Sequence, residues 1–127
     1  LAPHDDISQC TATNQQGFEI QSVVEHPVVA VNLCVENQGG GELHYWNIQA
    51  DNKSKAMLGV EETGYPYPLK MLDDIERLEI KIHPGDVYFF NGTNIHAVSS
   101  PANSASFRTT ISCLMGFINE REVIYWT

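Results

Sequence analysis

The stretch His83 to Val98, HPGDVYFFNGTNIHAV, limits what this chain can become more than any other. Pro84-Gly85-Asp86 makes a turn, because proline presets its own φ and glycine accepts the left-handed backbone that closes many turns. Asp86 to Asn91 is short, aromatic and β-branched, which suits a pleated, half-buried strand. Gly92-Thr93-Asn94 makes a second turn, and Ile95-His96-Ala97-Val98 opens another strand. The spacing predicts a hairpin that presents His96 from the beginning of its second strand.

The remaining chain is built from similar short pieces. Residues 1–10 read as the end of a strand running into a polar segment, and Thr11–Gln21 reads as a loop. Val28 to Glu36 is a valine-rich strand, Gly39-Gly40-Gly41 a turn, and Glu42 to Ile48 a second strand. Residues 50–75 form a long connection with room for a short helical turn and another at Leu69–Ile75. Gly64-Tyr65-Pro66-Tyr67-Pro68 can continue neither a helix nor a central strand, so two exposed tyrosines are predicted there. Arg77 to Ile82 alternates, with Leu78, Ile80 and Ile82 on one face, as a half-buried antiparallel strand should. After a loop at Ser99–Ser106, Phe107 to Ile118 is a long strand with a predicted bulge at Gly116, and Val123 to Trp126 a short one. Six or seven strands joined by Gly/Pro turns, with almost no helix, predict an all-β sandwich or jelly roll.

At 127 residues the chain is one domain, not two. Sixteen acidic against seven basic residues give a net charge of −9, which leaves no basic stripe for nucleic acid or an anionic membrane. No apolar run approaches the roughly 20 residues of a membrane span. Cys10, Cys34 and Cys113 are widely spaced and odd in number, so free thiols and a reducing, cytoplasmic compartment are expected.

His4 and Asp6 stand two residues apart, and on an extended chain both point to one side. With His96 they make two imidazoles and one carboxylate, the facial set that non-haem Fe(II) oxygenases use, with positions left for other ligands. The chain begins at Leu1 with this pattern at residue 4, so residues 1–127 are expected to be the C-terminal part of a longer protein. Strand alternation puts Arg108, Thr110 and Ser112 on one face, too polar for a dry core unless a ligand satisfies it. A guanidinium holds a carboxylate through two parallel hydrogen bonds, so an anionic cosubstrate bound between metal and Arg108 would fit. Asn32, inside an apolar strand, must find a partner; it either lines that pocket or is satisfied structurally.

HDD, VVAVNLCVEN, GGGELHYW, PGDVYFFNGTNIHAV and FRTTISCLMGF occur in the order seen in Fe(II)/2-oxoglutarate-dependent dioxygenases, and nearly the whole chain resembles them. The resemblance implies a cupin-like double-stranded β-helix with few short helices. It implies iron on His4, Asp6 and His96, Arg108 on the distal carboxylate of 2-oxoglutarate, and O2 as oxidant. It also implies hydroxylation of a small molecule such as an amino acid derivative, with a preceding segment or second chain completing the fold. The sequence is similar, too, to aliphatic halogenases of that superfamily, which carry a small residue where Asp6 stands. Two rivals remain: a metal cupin without 2-oxoglutarate, which the spacing from Gly85-Asp86 to His96 also allows, and a non-enzymatic jelly-roll binding module.

Overall fold

The computed structural model describes residues 1–127, the side chain of Val24 excepted. Seven strands appear in chain order: β1 Val29–Asn37, β2 Leu43–Trp46, β3 Arg77–Ile80, β4 Val87–Asn91, β5 His96–Val98, β6 Arg108–Phe117 and β7 Val123–Trp126. They form two antiparallel sheets, a larger one ordered β4-β1-β6-β7 and a smaller one ordered β3-β2-β5. His4 extends the smaller sheet by an isolated antiparallel bridge to His96. This is the jelly-roll architecture expected from the strand pattern.

Alternation decides what lies between the sheets. In β1, Ala30, Asn32 and Cys34 face inward, opposite Phe90 and Tyr88 of β4 and Leu114, Ser112 and Thr110 of β6. Leu43, Tyr45, His96 and Val98 face them from the smaller sheet. Cys34, Leu43 and Ile82 close one end of this interior with Tyr88 and Phe90. Cys10, Ile20, Val23 and Val28 close another region against Leu114, Ile124 and Trp126. The long connection folds onto the smaller sheet, where Trp46, Val60, Tyr67, Leu72, Ile95 and Ala97 form a third apolar cluster.

Several expectations change. The Val87–Val98 unit is not a paired hairpin: β4 joins the larger sheet and β5 the smaller, so the Gly92–Asn94 turn carries the chain across the interior. Thr11–Gln21 is no plain loop, since residues 8–25 wind through helix α1 (Ser8–Thr11) and two 3-10 segments, Thr13–Gln15 and Glu19–Glu25. The connection does hold the short helix expected in it, α2 (Asn52–Leu58). The bulge lies in β1 between Cys34 and Glu36, not at Gly116, which pairs regularly with Ile124. Gly116 is needed for another reason: a Cβ there would sit 2.4 Å from Val23 Cγ1, where the 3-10 segment presses on the sheet. Leu78 and Ile80 alternate as predicted but stay exposed, because β3 is an edge strand with a neighbour on one side only.

Candidate metal and cosubstrate site

Three backbone hydrogen bonds fix the segment that carries the first candidate ligands. His4 N–H donates to His96 O at 2.9 Å, and His96 N–H returns the bond to His4 O at 2.9 Å. Asp6 N–H donates to Gly92 O at 2.8 Å. The HDD segment is therefore tied both to β5 and to the crossing turn. Residue 92 must be glycine for steric reasons, since a Cβ would lie 2.4 Å from Asp6 Oδ2.

The result is one cluster. Ligand atoms of His4, Asp6 and His96 all lie within 4.8 Å of one another. The imidazole centroids are 4.1 Å apart, and His96 Nε2 is 3.5 Å from Asp6 Oδ2. Each imidazole Nδ1 lies 2.9 Å from a backbone carbonyl oxygen, that of Ala2 for His4 and that of Asn94 for His96. A carbonyl can only accept, so both Nδ1 atoms carry the proton and both Nε2 atoms keep a lone pair for a metal. Burial lowers the pKa of His4, and it brings His96 down to about 4, helped by the neighbouring His4. Both rings are neutral at pH 7. Burial, with the adjacent Asp5 carboxylate, pushes Asp6 up to about 7. A divalent cation would stabilise the ionised Asp6, so the cluster is matched to positive charge.

The cluster opens onto a cavity of about 260 Å³ between the sheets, which Asn32, Tyr88, Arg108, Thr110 and Ser112 also line. Arg108 Nη2 donates to Tyr88 Oη. Its Nε is buried without a partner, and so is Thr110 Oγ1. Ser112 Oγ donates to Asn32 Oδ1 at 2.6 Å, so both are satisfied by each other while lining the cavity. Buried polar atoms seldom stay unpaired in a native interior, and an acceptor-bearing ligand in the cavity would satisfy Arg108 Nε and Thr110 Oγ1.

No family model matches the sequence. Over its whole length the chain is 41% identical to part of the L-isoleucine 3(1)-dioxygenase of Pantoea ananatis (strain AJ13355), of which it spans 42%. Along its whole length this chain is therefore similar to a segment of a dioxygenase. Its fold is also that of an N-substituted L-amino acid dioxygenase from Burkholderia ambifaria AMMD, solved in complex with alpha-KG. That match has a TM-score of 0.66 at 18% identity and covers 99% of this chain and 48% of the other. A second structure of an enzyme of that description, from the same organism, gives a TM-score of 0.57 at 17% identity, over 79% of this chain and 39% of the other.

An iron ion and a dicarboxylate are the groups that the sequence implies for this cavity, and the residues present fit both. Two neutral imidazoles and one carboxylate form the donor set, and the orphaned Arg108 Nε and Thr110 Oγ1 lie in the cavity that the donors face. Sequence reasoning missed Tyr88, whose hydroxyl orients Arg108; its inward position in the Asp86–Asn91 strand was the available signal. It also missed Asp5, Lys55 and Tyr67. Tyr67, expected in an exposed pair with Tyr65, is buried with its hydroxyl on Asp5.

Proposed function

We propose that residues 1–127 form the single core domain of an Fe(II)- and 2-oxoglutarate-dependent oxygenase that hydroxylates a C–H bond of a free or N-substituted L-amino acid. The carrying observation is the close cluster of His4, Asp6 and His96 at a cavity where Arg108 Nε and Thr110 Oγ1 lack partners. In this reading His4, Asp6 and His96 hold the metal and Arg108 takes the distal carboxylate of 2-oxoglutarate, with Thr110 and the Asn32–Ser112 pair beside it. Iron held there would supply, with O2 and 2-oxoglutarate, the oxidant for the C–H bond, and 2-oxoglutarate would leave as succinate and CO2. The protein's own part is positional. Carbonyls behind His4 and His96 fix the tautomers, Tyr88 aims the guanidinium, and Leu43, Phe90 and Val98 keep the cavity wall apolar.

Asp6 within the cluster favours oxygenation over halogenation, because its carboxylate takes the position a halide would need. Arg108 in the cavity favours 2-oxoglutarate over the cupin and binding-module alternatives. The amino acid substrate class is supported by the relatives. The free thiols agree with a cytoplasmic setting, and among the described residues no helix is long and apolar enough to cross a membrane.

The chain also lies within longer relatives, and its larger sheet is apolar on the outside. Val87, Phe89, Ile111, Phe117 and Tyr125 are exposed there. We infer that polypeptide outside residues 1–127, a preceding segment or a second chain, covers this face in the working protein.

The test is succinate formation by the Fe(II)-loaded protein in O2 with 2-oxoglutarate and a panel containing L-isoleucine and N-substituted L-amino acids. Amino-acid-dependent succinate, with a product heavier by one oxygen atom even in high chloride, is the expected result. No 2-oxoglutarate turnover by iron-loaded protein would overturn the assignment, and a halogenated product would remove Asp6 from the ligand set.

A further inference from the structure

Asp5 stands between two candidate ligands and points the other way. Its side chain is 0% exposed, and the side chain of Lys55, which pairs with it at 3.1 Å, is 10% exposed. Asp5 Oδ2 also accepts from Tyr67 Oη at 2.6 Å and from Ser8 Oγ at 3.2 Å, while Oδ1 accepts from Ser8 N–H at 2.8 Å. Lys55 Nζ donates to Ser8 Oγ at 2.8 Å. Four groups from three parts of the chain thus converge on one carboxylate.

The elements that supply them are themselves pinned. Lys55 lies on α2, which Asp51 caps by accepting from Ser54 N–H at 2.9 Å and which Gly59 ends in the left-handed conformation. Tyr67 N–H donates to Pro3 O at 2.8 Å, and Asp5 N–H to Gly64 O at 3.0 Å. Residue 64 cannot carry a side chain, because its Cβ would meet Asp5 Oδ1 at 2.6 Å.

A buried ion pair adds little stability over apolar residues of the same volume, since desolvation offsets the attraction. What such a pair does supply is one orientation. On an extended backbone, anchoring residue 5 from behind sets the directions in which residues 4 and 6 project in front. We propose that Asp5, locked by Lys55 and Tyr67, is a positioning residue that sets the spacing of the His4 and Asp6 ligand atoms without touching a metal itself. This rests on the reading of His4, Asp6 and His96 as the metal site.

Co(II) binding to the purified chain tests it, read as Kd and as the cobalt d–d spectrum, with circular dichroism to verify folding. Asp5→Ala/Lys55→Met removes both charges together, so neither is left buried and unpaired. It is expected to fold, to bind Co(II) about 10–100-fold more weakly, and to shift the d–d bands. Asp5→Asn/Lys55→Met keeps the shape and an acceptor for Ser8 N–H, leaves no charge buried and unpaired, and should restore most of the affinity. Should Asp5→Ala/Lys55→Met fail to fold, Tyr67→Phe, which loses one hydrogen bond, decides the matter through a several-fold weaker Kd and altered bands in a folded protein. Wild-type Kd and spectrum in folded Asp5→Ala/Lys55→Met, or in Tyr67→Phe if it is used instead, would overturn the proposal. His4→Ala and Asp6→Ala run alongside. If they abolish Co(II) binding while the Asp5 variants do not alter it, positioning fails and the metal site stands; if they too bind normally, the metal site itself fails.

Discussion

At the residue scale the site is an arrangement of charges that a cation and a dicarboxylate would complete. Arg108 has a planar fork, and lysine offers only a point charge. Arg108→Lys is therefore expected to raise the KM for 2-oxoglutarate at least tenfold with a smaller change in kcat, measured by succinate release at varied cosubstrate. The titration of the ligands also has a sign. Burial brings His96 down to about 4 and lowers His4 as well. Asp6 lies at about 7 and must lose its proton to ligate. Co(II) affinity is therefore expected to fall as pH drops below about 7, by up to tenfold per unit, as Asp6 takes up its proton. A flat profile from pH 7 to 5 would count against that assignment. Cys10 is another buried group, pushed up to about 11 by burial and by the carboxylates of Asp6 and Asp5. At pH 8 it should resist iodoacetamide while partly exposed Cys113 reacts, which peptide mapping would reveal.

At the element scale the molecule is held by close approaches between pieces distant in sequence. The 3-10 segment Glu19–Glu25 lays Val23 against Gly116 of β6. Gly116→Ala would drive a methyl into Val23 and is expected to cost about 1–3 kcal/mol by urea denaturation, the range for overpacking. Adding Val23→Ala should return part of that loss, since it removes the opposing methyls; no recovery in the double variant would mean the strain lies elsewhere. Strand existence was legible in the sequence because alternation and Gly/Pro turns are local signals. The pairing of those strands was not. The turn at Gly92–Asn94 looks like a hairpin turn, yet β4 and β5 join different sheets, because His96 pairs with His4 and Tyr45 rather than with β4. The bulge was misplaced for a similar reason: glycine marks a special backbone, but it does not say whether a bulge or a packed neighbour demands it.

At the scale of the whole molecule, the two faces of the larger sheet differ in kind. The inner face carries Asn32, Arg108, Thr110 and Ser112, while the outer carries Phe89 and Ile111, each 64% exposed. A contiguous apolar face of this sort marks an interface. The purified 127-residue chain is expected to bind ANS strongly, and Phe89→Lys/Ile111→Lys should reduce that fluorescence and improve solubility without changing the Co(II) Kd. Weak ANS binding by the unaltered chain would argue that the face is already covered. The sequence by itself determined the strand positions and the all-β class, and it named His4, Asp6, His96 and Arg108 as candidates, because strands follow from a local period and candidates from side-chain chemistry. Only the tertiary structure decided that Asp5 is buried against Lys55 and Tyr67, that Tyr88 holds Arg108, and that β4 and β5 part company. Those depend on which distant segments meet, and no local pattern encodes that: a lysine on a short helix looks solvent-facing until a carboxylate 50 positions away is folded onto it.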